Sequence, residues 1–345
     1  MGAAIAVLVV GTVPWLRARA KAVPVLARSV GLALPRPFAR RISVRTVRPA
    51  PGLVGDLYSP GRAPAIVLSP GAAPQGKDDP RLVRVARSLA GANRVVFVPQ
   101  LDLRGQTFDE ADVERLIESV RFLRRADGGP VGMVGISYGG SFCLLAAEDP
   151  AIAGQVAFVA VFGSFDRLLD VVQGVTTGAT TSSGRVVPWR TVPEARAILD
   201  RAAVGLAPAD ERAALQAALS SRDSTGLSPD AASIYDLLVN RDPRRTGALA
   251  ARLPPAFRDA LARFSPSTRL RDLRAPLFVM QALDDPATPP TEADLFRADV
   301  SGARIVILRY FEHVSPPGSG TPILGRVADL YGGWKFVSWV LSAQE

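Results

Sequence analysis

Val131-Gly132-Met133-Val134-Gly135-Ile136-Ser137-Tyr138-Gly139 decides how the chain is read. Val131 to Ile136 is an unbroken apolar run, the pattern of a short strand buried on both faces of a parallel sheet. Gly135 to Gly139 then fits G-x-S-x-G, in which the serine sits on a sharp strand-to-helix turn. From Tyr138 to Glu148, Phe142, Leu144, Leu145 and Ala146 suit the helix that should follow. Gly135 and Gly139 leave room for close packing around a strained serine.

Two further features lie downstream. Pro276 to Leu283 reads as another buried strand and is followed by Asp284, Asp285 and Pro286. Arg304 to Leu308 is a third apolar strand, after which a loop carries His313. His313 is the only histidine in 345 residues. A serine hydroxyl is a weak nucleophile until a neighbouring base takes its proton. Histidine is suited to that task because its unperturbed pKa lies near neutrality. A buried carboxylate then holds the ring in the productive tautomer. Ser137 is therefore the candidate nucleophile and His313 the candidate base. Asp284 and Asp285 both qualify as the acid, with Asp166, after an earlier strand, as a third candidate.

The order Ser, Asp, His, together with these motifs, resembles the α/β-hydrolase superfamily, in particular its esterase- and lipase-like serine hydrolases. The resemblance runs discontinuously from about Ile66 to Val314. Members often carry G-x-x-D-x-x-V-P at the acid turn. Ala282-Leu283-Asp284-Asp285-Pro286-Ala287-Thr288-Pro289 is similar, with Ala282 in the glycine place and Thr288 in the valine place. That register implies Asp285 as the acid. The superfamily also implies an oxyanion hole built from two backbone N–H groups. One is that of Tyr138, directly after the nucleophile. The other belongs to the loop after Ala65 to Leu68, where Pro70-Gly71 replaces the frequent His-Gly, and Ala72 is favoured over Ala73. The implied reaction is hydrolysis of a small-molecule acyl substrate, a carboxylic ester by default, through an acyl-enzyme and without a cofactor. A thioesterase or peptidase of the same fold is the alternative, as is a non-catalytic membrane-associated binding protein with a relic motif.

The rest of the chain alternates as this fold requires. Val44 to Val47 and Val54 to Tyr58 suit a leading hairpin, Ile66 to Leu68, Val95 to Val98 and Val156 to Phe162 suit strands, and Phe108 to Leu123 a helix. The expected fold class is α/β, an α/β-hydrolase fold: a mainly parallel sheet with helices on both faces and an inserted helical cap. Residues 42–163 and 264–345 form the expected core. Residues 164–263 form the expected cap, with little strand signal and a Gly/Thr/Ser stretch from Thr176 to Ser183 that reads as mobile. A closing helix, about Pro322 to Leu341, sets Ile323, Val327, Leu330, Trp334, Val337 and Leu341 on one face, a stripe that reads as core.

Composition sets further limits. With one cysteine, Cys143, no internal disulfide forms, and one Cys with one His excludes the usual zinc sites. Gly71 to Asp78 nearly matches a phosphate-binding P-loop, but Asp78 stands where a hydroxyl should hold magnesium. A helix capped by Asp79 with Pro80 at its first position also starts too late to cradle phosphate. The formal net charge is +9, yet residues 1–55 hold nine basic side chains and no acidic one, so the remainder is balanced at 32 of each sign. No nucleic-acid-binding motif accompanies the charge. Residues 1–41 thus form a basic, apolar arm. Its apolar stretch Ala3 to Leu16 is shorter than the ~20 residues of a spanning helix. Two readings stand: a peripheral contact with an anionic membrane from the cytoplasmic side, or a helix packed on the body.

Overall fold

The computed structural model describes residues 14–29, 41–311, 313 and 323–345. It opens with helix α1 (Pro14–Ser29). The sheet begins as a hairpin, β1 (Ser43–Ala50) and β2 (Leu53–Ser59), followed by β3 (Ala65–Ser69), α2 (Pro80–Gly91), β4 (Val95–Pro99), α3 (Glu110–Asp127), β5 (Val131–Ile136), α4 (Tyr138–Ala147) and β6 (Val156–Phe162). Then come α5 (Leu168–Thr177), the hairpin β7 (Ala179–Ser182) and β8 (Arg185–Pro188), and helices α6 (Pro193–Leu206), α7 (Arg212–Ser221), α8 (Pro229–Leu238), α9 (Thr246–Ala251) and α10 (Pro255–Arg263). The chain closes with β9 (Leu277–Ala282), α11 (Glu292–Asp299), β10 (Arg304–Leu308) and α12 (Ile323–Ser342).

Eight strands form one sheet in the order β1-β2-β4-β3-β5-β6-β9-β10. β2 pairs antiparallel with β1 and β4, and the pairs from β4 through β10 are parallel. This is the mainly parallel α/β-hydrolase sheet that the motifs implied. Alternate residues of each central strand face opposite sides. Val67, Met133, Val159 and Val279 enter one core with α3 and α4, whereas Ile66, Val134, Ala160 and Phe278 enter a second core with α1, α2 and α12. Burial on both faces is why these strands read as continuous apolar runs.

Two differences from the sequence reading have physical causes, and the described helix of the arm packs on the body. Thr180 and Thr181 lie in the paired strand β7, because Ser183 and Gly184 take positive φ (49° and 75°) and close a two-residue turn to β8. The twist of such a turn suits a hairpin. In α12, Ile323 and Val327 are 79% and 56% exposed, so the proposed core stripe faces outward over its first half. The inward face is made instead by small residues: a Cβ on Gly332 would lie 2.8 Å from Val306, and one on Gly333 would lie 3.0 Å from Leu26. Asp329, on that inward face, accepts the N–H groups of Arg309 and Tyr310 at 2.8 and 2.7 Å. Finally, α1 buries Ala18, Ala22 and Val25 against α2 and α12. Trp334 Nε1 donates to Arg19 O at 2.9 Å, and Lys21 pairs with Glu345 at 2.9 Å. No described helix is long and apolar enough to cross a membrane.

Candidate active site

Ser137 stands between β5 and α4 with φ 54° and ψ −136°, a conformation that costs a non-glycine residue about 1–3 kcal/mol. The surroundings over-determine it. Ser137 N donates to Phe162 O at 2.7 Å, and Ser137 O accepts Ser164 Oγ at 2.8 Å and Gly140 N at 2.9 Å. Any Cβ on Gly139 would collide with Pro70 O, and one on Gly135 with Gly140 Cα, so both glycines are required by close approach. The strained turn projects Ser137 into a cavity of about 810 Å³, which His313 also lines.

The loop after β10 brings His313 to Asp285, with Nδ1 2.8 Å from Oδ2. Asp285 is wholly buried, whereas Asp284 beside it is exposed. Four donors converge on the Asp285 carboxylate. Oδ1 accepts the N–H groups of Ala287 and Thr288, both at 2.9 Å, and Oδ2 accepts Gln281 Nε2 at 3.2 Å besides the imidazole. Trp189 Nε1 donates to Asp285 O at 2.7 Å and so ties the segment after β8 to the acid turn. Asp166 lies elsewhere, at the end of β6 in a buried acidic group with Glu292 and Asp299.

Tyr138 N–H opens α4, where first-turn amides have no intrahelical acceptor and the helix dipole is positive. Its ring is buried beside Phe108 and Phe165, and burial raises the phenol pKa. The loop bearing Ala72 touches the turn: a Cβ on Gly71 would sit 3.1 Å from Ser137 Cβ. Ala72 and Ala73 both line the cavity.

Some positions beside the site carry no motif. Gly163 (φ 63°) leaves room for the imidazole, since a Cβ there would lie 2.9 Å from His313 Nδ1 and 3.1 Å from Asp285 Oδ2. A glycine directly after a buried strand was the only available signal. Thr288 Oγ1 donates to Gly163 O at 3.0 Å and joins the two loops. Lys77, of the near P-loop, is paired with Asp56 and Asp78 at 2.9 and 2.8 Å, and α2 starts only at Pro80 under an Asp79 cap. Among the described residues, no group of three or more His, Cys, Asp or Glu could hold a metal. Cys143 is buried in α4, which pushes its thiol pKa up to about 12.

The family model described as X-Pro dipeptidyl-peptidase (S15 family) matches residues 105–314. The chain belongs to that family. It is thus a serine-type hydrolase on the α/β-hydrolase fold. A comparison with curated protein sequences returned no match. Among solved structures, acylaminoacyl peptidase from Pyrococcus horikoshii is similar at TM-score 0.51 and 12% identity, covering 88% of this chain and 42% of its own. The chain therefore spans less than half of that peptidase, and the likeness is one of fold. A hyperthermophilic esterase from Pyrobaculum calidifontis aligns at TM-score 0.47 and 17% identity over 96% of this chain and 89% of its own. A proline iminopeptidase from Mycobacterium smegmatis aligns at TM-score 0.45 and 15% identity over 86% and 99%.

Proposed function

We propose that the chain hydrolyses a carboxylic ester through an acyl-enzyme on Ser137. The observation that carries this reading is the buried Asp285 carboxylate bonded to His313 Nδ1 in the cavity that receives Ser137. His313 Nε2 takes the Ser137 Oγ proton as Oγ attacks the ester carbonyl, and Asp285 stabilises the imidazolium. The N–H groups of Tyr138 and Ala72 receive the oxyanion. Collapse expels the alcohol, which takes the proton from His313 Nε2. Water, deprotonated by the same nitrogen, then attacks the acyl carbon, and collapse releases the acid as Ser137 Oγ takes the proton back from His313 Nε2. Residues 164–263 act as a cap over the site, anchored at Trp189. A fluorophosphonate probe should label the wild type and leave Ser137→Ala unlabelled. Labelling of that variant at an unchanged rate would remove Ser137 from the mechanism.

A second reading, cleavage of a dipeptide from a peptide amino terminus, is favoured by the family match. Glu194 lines the cavity from the first turn of α6 and offers a carboxylate for an ammonium group. Turnover of alanyl-prolyl-p-nitroanilide, lost in Glu194→Gln, with none of p-nitrophenyl butyrate, would select it over the ester reading.

The basic arm, residues 1–41, is read as a contact for an anionic membrane surface, with its α1 helix serving as a packed anchor. The exposed Val23 of α1 and the exposed Ile323, Leu324 and Val327 of α12 support this by placing apolar side chains on neighbouring helices.

A further inference from the structure

The cavity at Ser137 is larger than the chemistry needs, and it extends in one direction. Val134 of β5, Phe162 of β6, Met280 of β9 and Leu308 of β10 all line it. These side chains share one face of the sheet, the face covered by α1, α2 and α12. The void therefore leaves the carboxyl edge of the sheet at Ser137 and runs down between the sheet and that helical layer. Its far walls are Val85 and Leu89 of α2, Phe336 and Val340 of α12, and Val25 and Leu26 of α1. From Arg81 to Leu89, both in the lining, the α2 wall runs ~12 Å at 1.5 Å per residue.

Charge is confined to the near end. Asp79 caps α2 and Arg81 and Arg84 belong to its first turns, which follow the loop beside Ser137, and Glu194 belongs to the first turn of α6. Beyond them, apart from Ser29, the walls are aliphatic or aromatic. A peptide threaded there would leave its amides without partners, which costs several kcal/mol in such surroundings. An alkyl chain has no such penalty. The volume, about 810 Å³, is several times that of a ~150 Å³ apolar cavity that holds benzene. A depth of ~12 Å accepts at least about eight carbons at the ~1.5 Å length of a carbon–carbon bond.

We propose that this cavity receives the linear aliphatic acyl chain of the substrate, with helix α1 as its back wall. The proposal rests on the ester reading above and gives that site its substrate class: medium- to long-chain acyl esters. It also gives α1 a part in the site, since Leu26 and Val25 close the void that the sheet, α2 and α12 leave open.

The test uses the full chain and p-nitrophenyl esters from acetate to decanoate. Burial of each added methylene raises kcat/KM by up to about fourfold. The expected result is a rise of at least tenfold from acetate to octanoate. Alkyl acetates lengthened on the alcohol side should show no such rise. Leu26→Trp places an indole in the void and should lower the octanoate-to-acetate ratio of kcat/KM at least tenfold. Val337→Trp, which enters the void from α12, should do the same, with thermal unfolding measured for both. A flat or falling acyl series in protein that a fluorophosphonate labels would overturn the chain assignment and leave the ester reading standing. So would a rise on the alcohol side alone. Absence of labelling would overturn the ester reading. Calorimetric titration of the full chain with decanoate then still decides the cavity, and no binding would overturn it.

Discussion

Asp285→Asn tests the proposed chemistry most directly, because the structure dictates how the new amide must lie. Oδ1 of Asp285 is held by two backbone N–H groups, from Ala287 and Thr288, at 2.9 Å each. An asparagine keeps its carbonyl oxygen there, since turning the amide round would set two donors against two donors. Its NH2 group then points at His313 Nδ1, which must become the acceptor. The imidazole proton moves to Nε2, and the nitrogen facing Ser137 can no longer take a proton. A tautomer locked in this way lowers turnover by about 10⁴, or about 5.5 kcal/mol of transition-state stabilisation. Stability should change little, because the two backbone bonds survive and only the Gln281 bond, worth about 1 kcal/mol, is lost. The assay is kcat/KM on p-nitrophenyl butyrate beside thermal unfolding, with Asp284→Asn as the exposed control. A folded Asp285→Asn protein within tenfold of wild type would refute the reasoning. So would a larger loss in Asp284→Asn.

Gly163→Ala should lower kcat/KM about 10²-fold with the protein still folded, because its Cβ would press on His313 Nδ1 from 2.9 Å; full activity would show that the ring tolerates displacement. Burial, reinforced by the Asp299 carboxyl, pushes the Asp166 pKa up to about 7. The folded chain then holds a proton that the unfolded chain loses near pH 4, so this contribution is complete below about pH 4 and is lost as pH rises through 7. Thermal stability should fall from pH 5 to pH 8, and Asp166→Asn should remove up to about 2.7 kcal/mol of that fall; an unchanged slope would place the titration elsewhere. Glu148, which burial pushes up to about 9, should keep part of the decline above pH 7. Replacing Arg36, Arg40 and Arg41 with Gln should weaken binding to phosphatidylserine vesicles by about 1 kcal/mol per charge at low salt. Equal binding of both proteins in a sedimentation assay would count against the membrane reading.

Much of the fold was legible because its strands are buried twice over. Val131 to Ile136 and Val156 to Phe162 are strands over the residues that their apolar runs indicated. The Asp79 cap and the Pro80 start of α2 followed from local chemistry alone, and Asp79 accepts the Arg81 N–H at 2.8 Å. What could not be read depends on partners distant in sequence. Gly163 and Trp189 matter because of where Asp285 lies, and neither carries a pattern of its own. The outward turn of Ile323 and Val327 was hidden for a similar reason. α12 is apolar on most of its circumference, so its inward face is chosen by Gly332 against Val306 and Gly333 against Leu26 rather than by periodicity.

The clasp between α1 and α12 also has a meaning in time. In the clasp, 315 residues separate Arg19 from Trp334, whose indole holds its carbonyl. At ~5–20 residues per second, a ribosome takes roughly 15–60 s to cover that distance. Throughout the interval Ala18, Ala22 and Val25 have no α12 to pack against, while the strands of the sheet are made one after another. α1 is therefore made early, and its docking is completed late. The layer that closes the void beside Ser137 is completed only when the last helix arrives. A nascent chain must keep one apolar helix from wrong partners until then, and a chain stopped before α12 would carry the serine turn but lack the wall behind it.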